Sequence, residues 1–211
     1  MVIDVAKCNG CACCSANCSQ TNRLPPALPW RRVPGVEAGA DPQPRRVFLS
    51  LACMHCAQAP CEEVCPSGAT YRRPDGIVDI RHAICLGCGY CVVACPYYAR
   101  TLVPRSHARD AGLLGLPSDD GAAAASGVCT KCDFCAATID AGLARGLQPG
   151  VDPEASPACV NTCLPQAIHF GDLDDPESNV ARLLRDRKAV RVSEELGTAP
   201  AVYYLVDPVG A

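Results

Sequence analysis

Sixteen cysteines set in four groups constrain this chain more than any hydrophobic pattern in it. Reading forward, the groups are Cys8, Cys11, Cys14 and Cys18; Cys53, Cys56, Cys61 and Cys65; Cys85, Cys88, Cys91 and Cys95; and Cys132, Cys135, Cys159 and Cys163. The first and third share one spacing, with two, two and three residues between successive cysteines, most plainly in "CLGCGYCVVACP" at 85–96. The second and fourth share another: a C-x-x-C pair, a spacer closing on proline ("AQAPC", "SPAC"), then three residues before a last cysteine. An apolar core alone does not suffice here. The 49% hydrophobic composition counts all 18 cysteines, aromatics are 5%, and 17 Gly with 19 Pro make turns and loops the main material.

Cysteine at this density means disulfides in an oxidising compartment or thiolates on metal. Paired C-x-x-C motifs without an export signal favour metal. Structural zinc also uses such pairs, and the fourth group alone would suit it, but zinc does not account for repeated two-two-three runs. Those runs are the bacterial ferredoxin signature for [4Fe–4S] clusters. Two intervening residues let a tight turn bring successive thiolates to neighbouring corners of a cube. Gly87 and Gly89 let the backbone approach the inorganic sulfides and offer N–H groups to them. Pro66 and Pro96 then turn the chain away; the fourth group has Pro165 one place late, and the first has Ser19 instead.

In two-cluster ferredoxins the fourth cysteine of such a run serves the other cluster. On this rule Cys53, Cys56 and Cys61 take Cys95, and Cys85, Cys88 and Cys91 take Cys65. By pseudo-symmetry Cys8, Cys11 and Cys14 take Cys163, and Cys132, Cys135 and Cys159 take Cys18. The clusters then crosslink the first twenty residues to the last fifty. Cys129 makes "CTKCDFC" resemble a run in a shifted register, in which it replaces Cys132 or Cys135. The Cys132 register is preferred because "KCDFC" followed by "PACVNTC" repeats the second group's layout. That leaves Cys129 and Cys13 as free buried thiols.

This divides the chain into an outer half, 1–18 plus 129–171, and an inner half, 51–103, with insertions at 19–50 and 104–128 and a tail at 172–211. The fold class expected is α+β and loop-rich. "RRVFL" and "GIVDI" read as short strands, and "SDDGAAAASG" as a flexible loop. In the tail "PESNVARLLRDRKA" has helical spacing and "AVYYLV" reads as a strand, so the tail packs over the cluster core or against a partner.

Net charge −3 gives no reason to expect nucleic acid. No window of eighteen apolar residues spans a membrane, and no export signal precedes "MVIDVAKC". The expected location is the cytoplasm, with co-export beside a signal-bearing partner left open. No P-loop, dinucleotide fingerprint or nucleophile elbow is found, so a chain devoted to redox clusters conducts electrons for something else. Three further residues carry two readings each. His55 either tunes a cluster or is a satisfied structural histidine; Trp30 packs under a loop or marks a partner surface; Lys131 either raises a cluster potential or is simply solvated.

Taken in order, "MVIDVAKCNGC", "CMHCAQAPCEEVCP", "CLGCGYCVVACPYYAR" and "KCDFC…PACVNTC" closely resemble the iron–sulfur electron-transfer subunits of the dimethyl sulfoxide reductase family of molybdenum or tungsten enzymes. The match runs through residues 1–171, and "ELGTAPAVYYL" extends it towards the C-terminus. The resemblance implies two ferredoxin-like halves holding four [4Fe–4S] clusters in a row. It further implies a large partner with a bis-pterin molybdenum or tungsten cofactor, and often a membrane anchor. The chain itself is then non-catalytic. The rival reading is a free soluble polyferredoxin.

Overall fold

The computed structural model describes residues 1–25, 28–39, 45–104 and 126–206. Most of the loop expected at "SDDGAAAASG" lies outside them. What organises the rest is a four-stranded sheet that draws together distant parts of the chain. Strand β1 (Val2–Asp4) pairs antiparallel with β8 (Ile168–His169) on one side and parallel with β10 (Tyr203–Leu205) on the other, and β10 pairs antiparallel with β9 (Ala189–Val190). Val2, Ile3 and Asp4 are all buried, which β-branched residues flanked on both edges tolerate well. Three two-stranded ribbons complete the strands: β2 (Gly35–Ala38) with β3 (Arg45–Phe48), β4 (Thr70–Arg72) with β5 (Val78–Ile80), and β6 (Thr101–Leu102) with β7 (Cys129–Thr130).

The helices are short, and most begin at or beside a cysteine. They are α1 (Cys13–Thr21), α2 (Pro60–Glu63), α3 (Tyr90–Ala94), α4 (Ala136–Leu143), α5 (Ala158–Asn161) and α6 (Asn179–Asp186). Proline at the first turn of α2 and just before α5 starts each helix without wasting an N–H. Two pairs pack together, α1 against α5 and α2 against α3. Each pair brings cysteines from two separated groups onto facing helices.

The tail expected to be helical and then extended is so, and it lies on the core. Ser178 caps α6, its Oγ accepting from Ala181 N–H at 3.1 Å. Val180 of α6 is buried with Val2 and Leu205, and Leu183 and Leu184 pack beside them. Residues 198–201 then run along the second cysteine group. Ala57 and Gln58 donate to the carbonyls of Ala199 and Thr198 at 2.9 and 3.1 Å, and Ala201 donates to Met54 at 2.8 Å. Arg73, in the β4–β5 turn, forms ion pairs with Asp75 at 2.8 Å and with Asp140 of α4 at 2.5 Å, which ties the hairpin to that helix.

Cysteine supplies much of the main hydrophobic cluster. Cys14, Cys53, Cys56, Cys61, Cys91, Cys129, Cys132 and Cys159 are buried there among Ile3, Val78, Phe134, Ile139, Phe170 and Tyr204. Trp30 packs against this cluster and donates from Nε1 to Thr130 Oγ1 at 2.9 Å, so it is a packing residue.

Candidate metal centres

Each cysteine group opens with the same backbone turn. The second residue between the first two cysteines has a left-handed conformation in all four: Gly10 (φ 75°), His55 (φ 45°), Gly87 (φ 66°) and Phe134 (φ 59°). In the two-two-three runs a second left-handed residue, Ala12 (φ 57°) or Gly89 (φ 77°), caps the following helix. Glycine adopts this geometry freely, whereas a side chain costs roughly 1–2 kcal/mol. The His55 and Phe134 turns are held by each other: their rings stack with centroids 3.6 Å apart and planes 20° from parallel. That stack joins the turn between Cys53 and Cys56 to the turn between Cys132 and Cys135. Turns of this kind aim successive thiols and N–H groups to one side.

The thiols gather into separate neighbourhoods. One cleft of about 310 Å³, counting its open mouth, is lined by Cys53, Cys56, Cys61 and Cys95 with Met54, Tyr97 and Arg100. A second of about 320 Å³ is lined by Cys65, Cys85, Cys88 and Cys91 with Gly87, Gly89, Thr70 and Cys129. The α2–α3 pair produces this exchange, because each helix carries in its first turn a thiol facing one cleft and is followed by a thiol facing the other.

Between the first and fourth groups, Asn22 Nδ2 reaches both Cys18 Sγ at 3.6 Å and Cys135 Sγ at 4.0 Å. Cys132 and Cys159 lie within electrostatic reach of Cys18. Cys14 and Cys163 face one another similarly, and Cys13 lies near Cys11 and Cys163. Cys8 is half-buried and Cys11 exposed.

One expectation needs correction, and one of two open readings is excluded. Cys13 is not a buried thiol: it opens α1 half-exposed, because the turn at Ala12 points it away from the core. Lys131 is not solvated. It is 3% exposed, and its ammonium donates to the carbonyls of Val78 and, at 2.8 Å, Cys132. Cys129 is buried as expected, yet it stands on β7 against Cys91, in the neighbourhood of the third group and not the fourth. His55 is 1% exposed; its Nδ1 accepts from Val78 N–H at 3.1 Å, while Nε2 has no partner.

Every described cysteine is a free thiol, and the donor set suits an iron–sulfur cluster. Backbone N–H groups are aimed at sulfur, from Thr70 to Cys65 at 3.4 Å and from Ala167 to Cys163 at 3.2 Å, as bound thiolates require. The buried thiols themselves resist ionisation. Burial pushes Cys18 up to about 12 and Cys56 to about 11, and Cys132 well above its ordinary value. Cys91 runs the other way, brought down to about 6 chiefly by the thiol of Cys129, whose own ionisation is opposed in turn. The Thr70 and Ser67 groups hold Cys65 below its ordinary value despite burial.

Sequence reasoning passed over several polar residues behind the thiols. Thr198 hydrogen-bonds the Tyr97 hydroxyl at 2.5 Å and also reaches Cys56. Arg31 and Ser50 make buried contacts behind Cys14, and Thr70 and Arg100 do so behind Cys65. Their only sequence signal is proximity to a cysteine run, as with Arg100 five residues after Cys95.

Four cysteine groups opening with turns of this type, and thiols of separated groups brought around common clefts, define an iron–sulfur protein of the ferredoxin class. Two family models, each described as a 4Fe-4S dicluster domain, match residues 45–109 and 84–138. Among curated proteins, a selenate reductase subunit of Mesobacillus selenatarsenatis is 37% identical, over 97% of this chain and 70% of its own. A polysulfide reductase component from Wolinella succinogenes is 32% identical over 100% of this chain and 95% of its own. A tetrathionate reductase subunit of Salmonella typhimurium is 34% identical over 97% and 71%. This protein belongs to the iron–sulfur subunits of the dimethyl sulfoxide reductase family, the electron-transfer subunits of molybdoenzyme reductases.

Proposed function

We propose that this chain holds four [4Fe–4S] clusters in two pseudo-symmetric halves and relays electrons between a molybdenum or tungsten bis-pterin catalytic subunit and an external donor or acceptor. The observation that carries the reading is the exchange of last cysteines between groups: Cys95 lies with Cys53, Cys56 and Cys61, and Cys65 with Cys85, Cys88 and Cys91. In the outer half the corresponding sets are Cys8, Cys11, Cys14 and Cys163, and Cys18, Cys132, Cys135 and Cys159. Four sites in series suit a partner whose chemistry moves two electrons, because each cluster carries one at a time. The cluster supplies the redox change; the chain's residues hold it, keep water from it and set the charge around it.

Each of these relatives is named as one component of a reductase, which supports a role inside an assembly with a separate catalytic subunit. No described helix is long and apolar enough to cross a membrane, so contact with a quinone pool would run through an anchor subunit. Among the described residues no three Cys, His, Asp or Glu side chains close in on a single ion. Structural zinc draws four thiolates onto one ion, whereas a [4Fe–4S] cube takes one thiolate per iron, so thiols spread around clefts suit the cube better.

Anaerobic purification from the native host followed by metal analysis tests this. Roughly sixteen iron per chain, together with molybdenum or tungsten in a larger complex, is expected. Iron without either metal and without a large partner would instead identify a free polyferredoxin, and zinc in place of iron would refute the redox reading.

A further inference from the structure

Among the described residues, two buried arginines have no protein carboxylate to answer their charge. Arg31 is 1% exposed and Arg100 is 3% exposed, and their contacts are to hydroxyls and sulfur. A guanidinium does not deprotonate in a protein, and an unpaired buried charge is costly. Their polar contacts are few. Arg31 donates from Nη1 to Ser50 Oγ at 2.8 Å and from Nη2 to Met1 Sδ at 3.3 Å, leaving Nε without a partner. Arg100 donates from Nη1 to Thr70 Oγ1 at 3.0 Å, leaving Nε and Nη2 without one. Lys131, by contrast, is spent on two backbone carbonyls.

What faces these guanidiniums is sulfur. Arg100 lines the cleft of Cys53, Cys56, Cys61 and Cys95, while its Nη1 comes within 4.0 Å of Cys129 Sγ in the wall of the neighbouring cleft. Its hydrogen-bond acceptor, Thr70, also lines that second cleft and donates its N–H to Cys65. Arg31 is linked in a similar way: its acceptor Ser50 Oγ lies 3.8 Å from Cys14 Sγ, and Cys159, Cys132 and Cys18 lie within its electrostatic reach. Burial alone would weaken each guanidinium's hold on its proton, but the surrounding thiolates strengthen it. Arg100 thus stands in the wall between the two inner thiol sets, and Arg31 stands behind Cys14 within electrostatic reach of Cys18, Cys132 and Cys159.

We propose that Arg31 and Arg100 are resident counter-charges, one for each pair of clusters, that raise the reduction potentials of the pair each one adjoins. The inference rests on the cluster reading above. The change concerned would be the passage of one electron from the next carrier, which is oxidised, to a cluster, which would become more negative by one charge with no bond formed or broken. A fixed positive charge in a low-dielectric wall stabilises the reduced form more than the oxidised one. Both arginines are positioning residues: they transfer no electron themselves.

The experiment is an EPR-monitored redox titration of the iron-loaded full chain carrying Arg100→Met, Arg100→Lys, Arg31→Met or Arg31→Lys. Arg100→Met should make two of the four clusters at least tenfold harder to reduce, about 59 mV for a one-electron couple, and leave the other two in place. Arg31→Met should move the complementary two. Each lysine variant should move its pair by less than threefold. All four clusters moving together, none moving, or lysine shifting a pair as far as methionine would overturn the proposal. If Arg100→Met does not load iron, Arg31→Met against Arg31→Lys carries the same test in the other half. A wild-type chain without iron would sink the cluster reading itself, whereas four clusters with immobile potentials would sink only this inference.

Discussion

Gly87 and Gly89 offer a matched pair for asking whether the thiol-aiming turns are set by backbone conformation alone. Both have positive φ, 66° and 77°, so alanine at either position costs roughly 1–2 kcal/mol of conformational strain. They differ in what a side chain would meet. At Gly89 nothing lies within 4 Å of an added Cβ, whereas at Gly87 it would come 2.1 Å from the carbonyl oxygen of Gly127. That carbonyl cannot swing away freely, because Gly127 and Val128 are bonded to Val103 on both sides, at 2.9 and 3.0 Å. Relieving the clash sacrifices one of these bonds at about 1 kcal/mol and opens the cleft beside Cys85. Gly89→Ala should therefore lower stability by about 1.5 kcal/mol and Gly87→Ala by about 3 kcal/mol. In a chain of this size that is about 3–6 °C against 6–12 °C in melting temperature. Circular-dichroism melts of the anaerobic iron-loaded chain, read beside iron content, measure both. Equal losses, or a larger loss at Gly89, would show that contact with residue 127 does not govern the turn.

Three further outcomes follow from the same geometry. Cys95→Ala should damage the cluster of Cys53, Cys56 and Cys61 and spare that of Cys85, Cys88 and Cys91; Mössbauer or EPR spectra showing the reverse would end the exchange model. His55 is held well below its ordinary pKa, first by burial and then by Lys131 and Arg100. The fold therefore favours neutral His55, and stability present above pH 6.5 is lost as pH falls below it, by up to about 1.4 kcal/mol per pH unit. Denaturant melts at pH 7 and 5.5 should show a shallower loss in His55→Gln than in the wild type; parallel losses would refute this. Asp140→Asn should cost no more than about 1 kcal/mol, because Asp140 is half-exposed and its pairing with Arg73 is screened by water. A loss above twice that would mean the hairpin-to-helix tie matters more than its exposure allows.

How much of this was legible in the sequence depends on whether a feature repeats with a period. The cysteine spacings do, and so does the apolar face of the helix at 179–186. The glycine turns at 87 and 89 were readable because glycine declares a left-handed residue. The equivalent turns at His55 and Phe134 were not, because bulky residues there are strained and what holds them is long-range: a stack between residues seventy-nine positions apart, the Val78 N–H on His55 and the Phe170 ring against Phe134. For Lys131 the sequence left a solvated lysine and one acting on a cluster equally open; two carbonyls on different segments bury it. Cys129 is nearest in sequence to Cys132 and nearest in space to Cys91, since the β6–β7 ribbon returns it to the third group. The pairing of β1 with β10 joins residues two hundred positions apart, and "MVIDV" by itself gave no sign of a partner.

The thiols and the arginines answer one another energetically. A fold with few aromatic residues uses cysteine as core material, and burial accordingly protects the protonated form. For Cys18 the rise from 9 to about 12 corresponds to about 4 kcal/mol against the thiolate. A cluster needs thiolates, so loading must overcome that resistance and release protons, which couples assembly to pH. Arg31 acts against it, since its charge favours the ionised forms of Cys14, Cys18 and Cys132 alike. Arg100 does the same for Cys61 and Cys91. Before loading, each guanidinium is a buried charge without a carboxylate, and a thiolate formed beside it would answer that charge. A cluster, which needs its cysteines as thiolates, would keep that pairing in place, so the arginines that stand unpaired in the fold would favour loading.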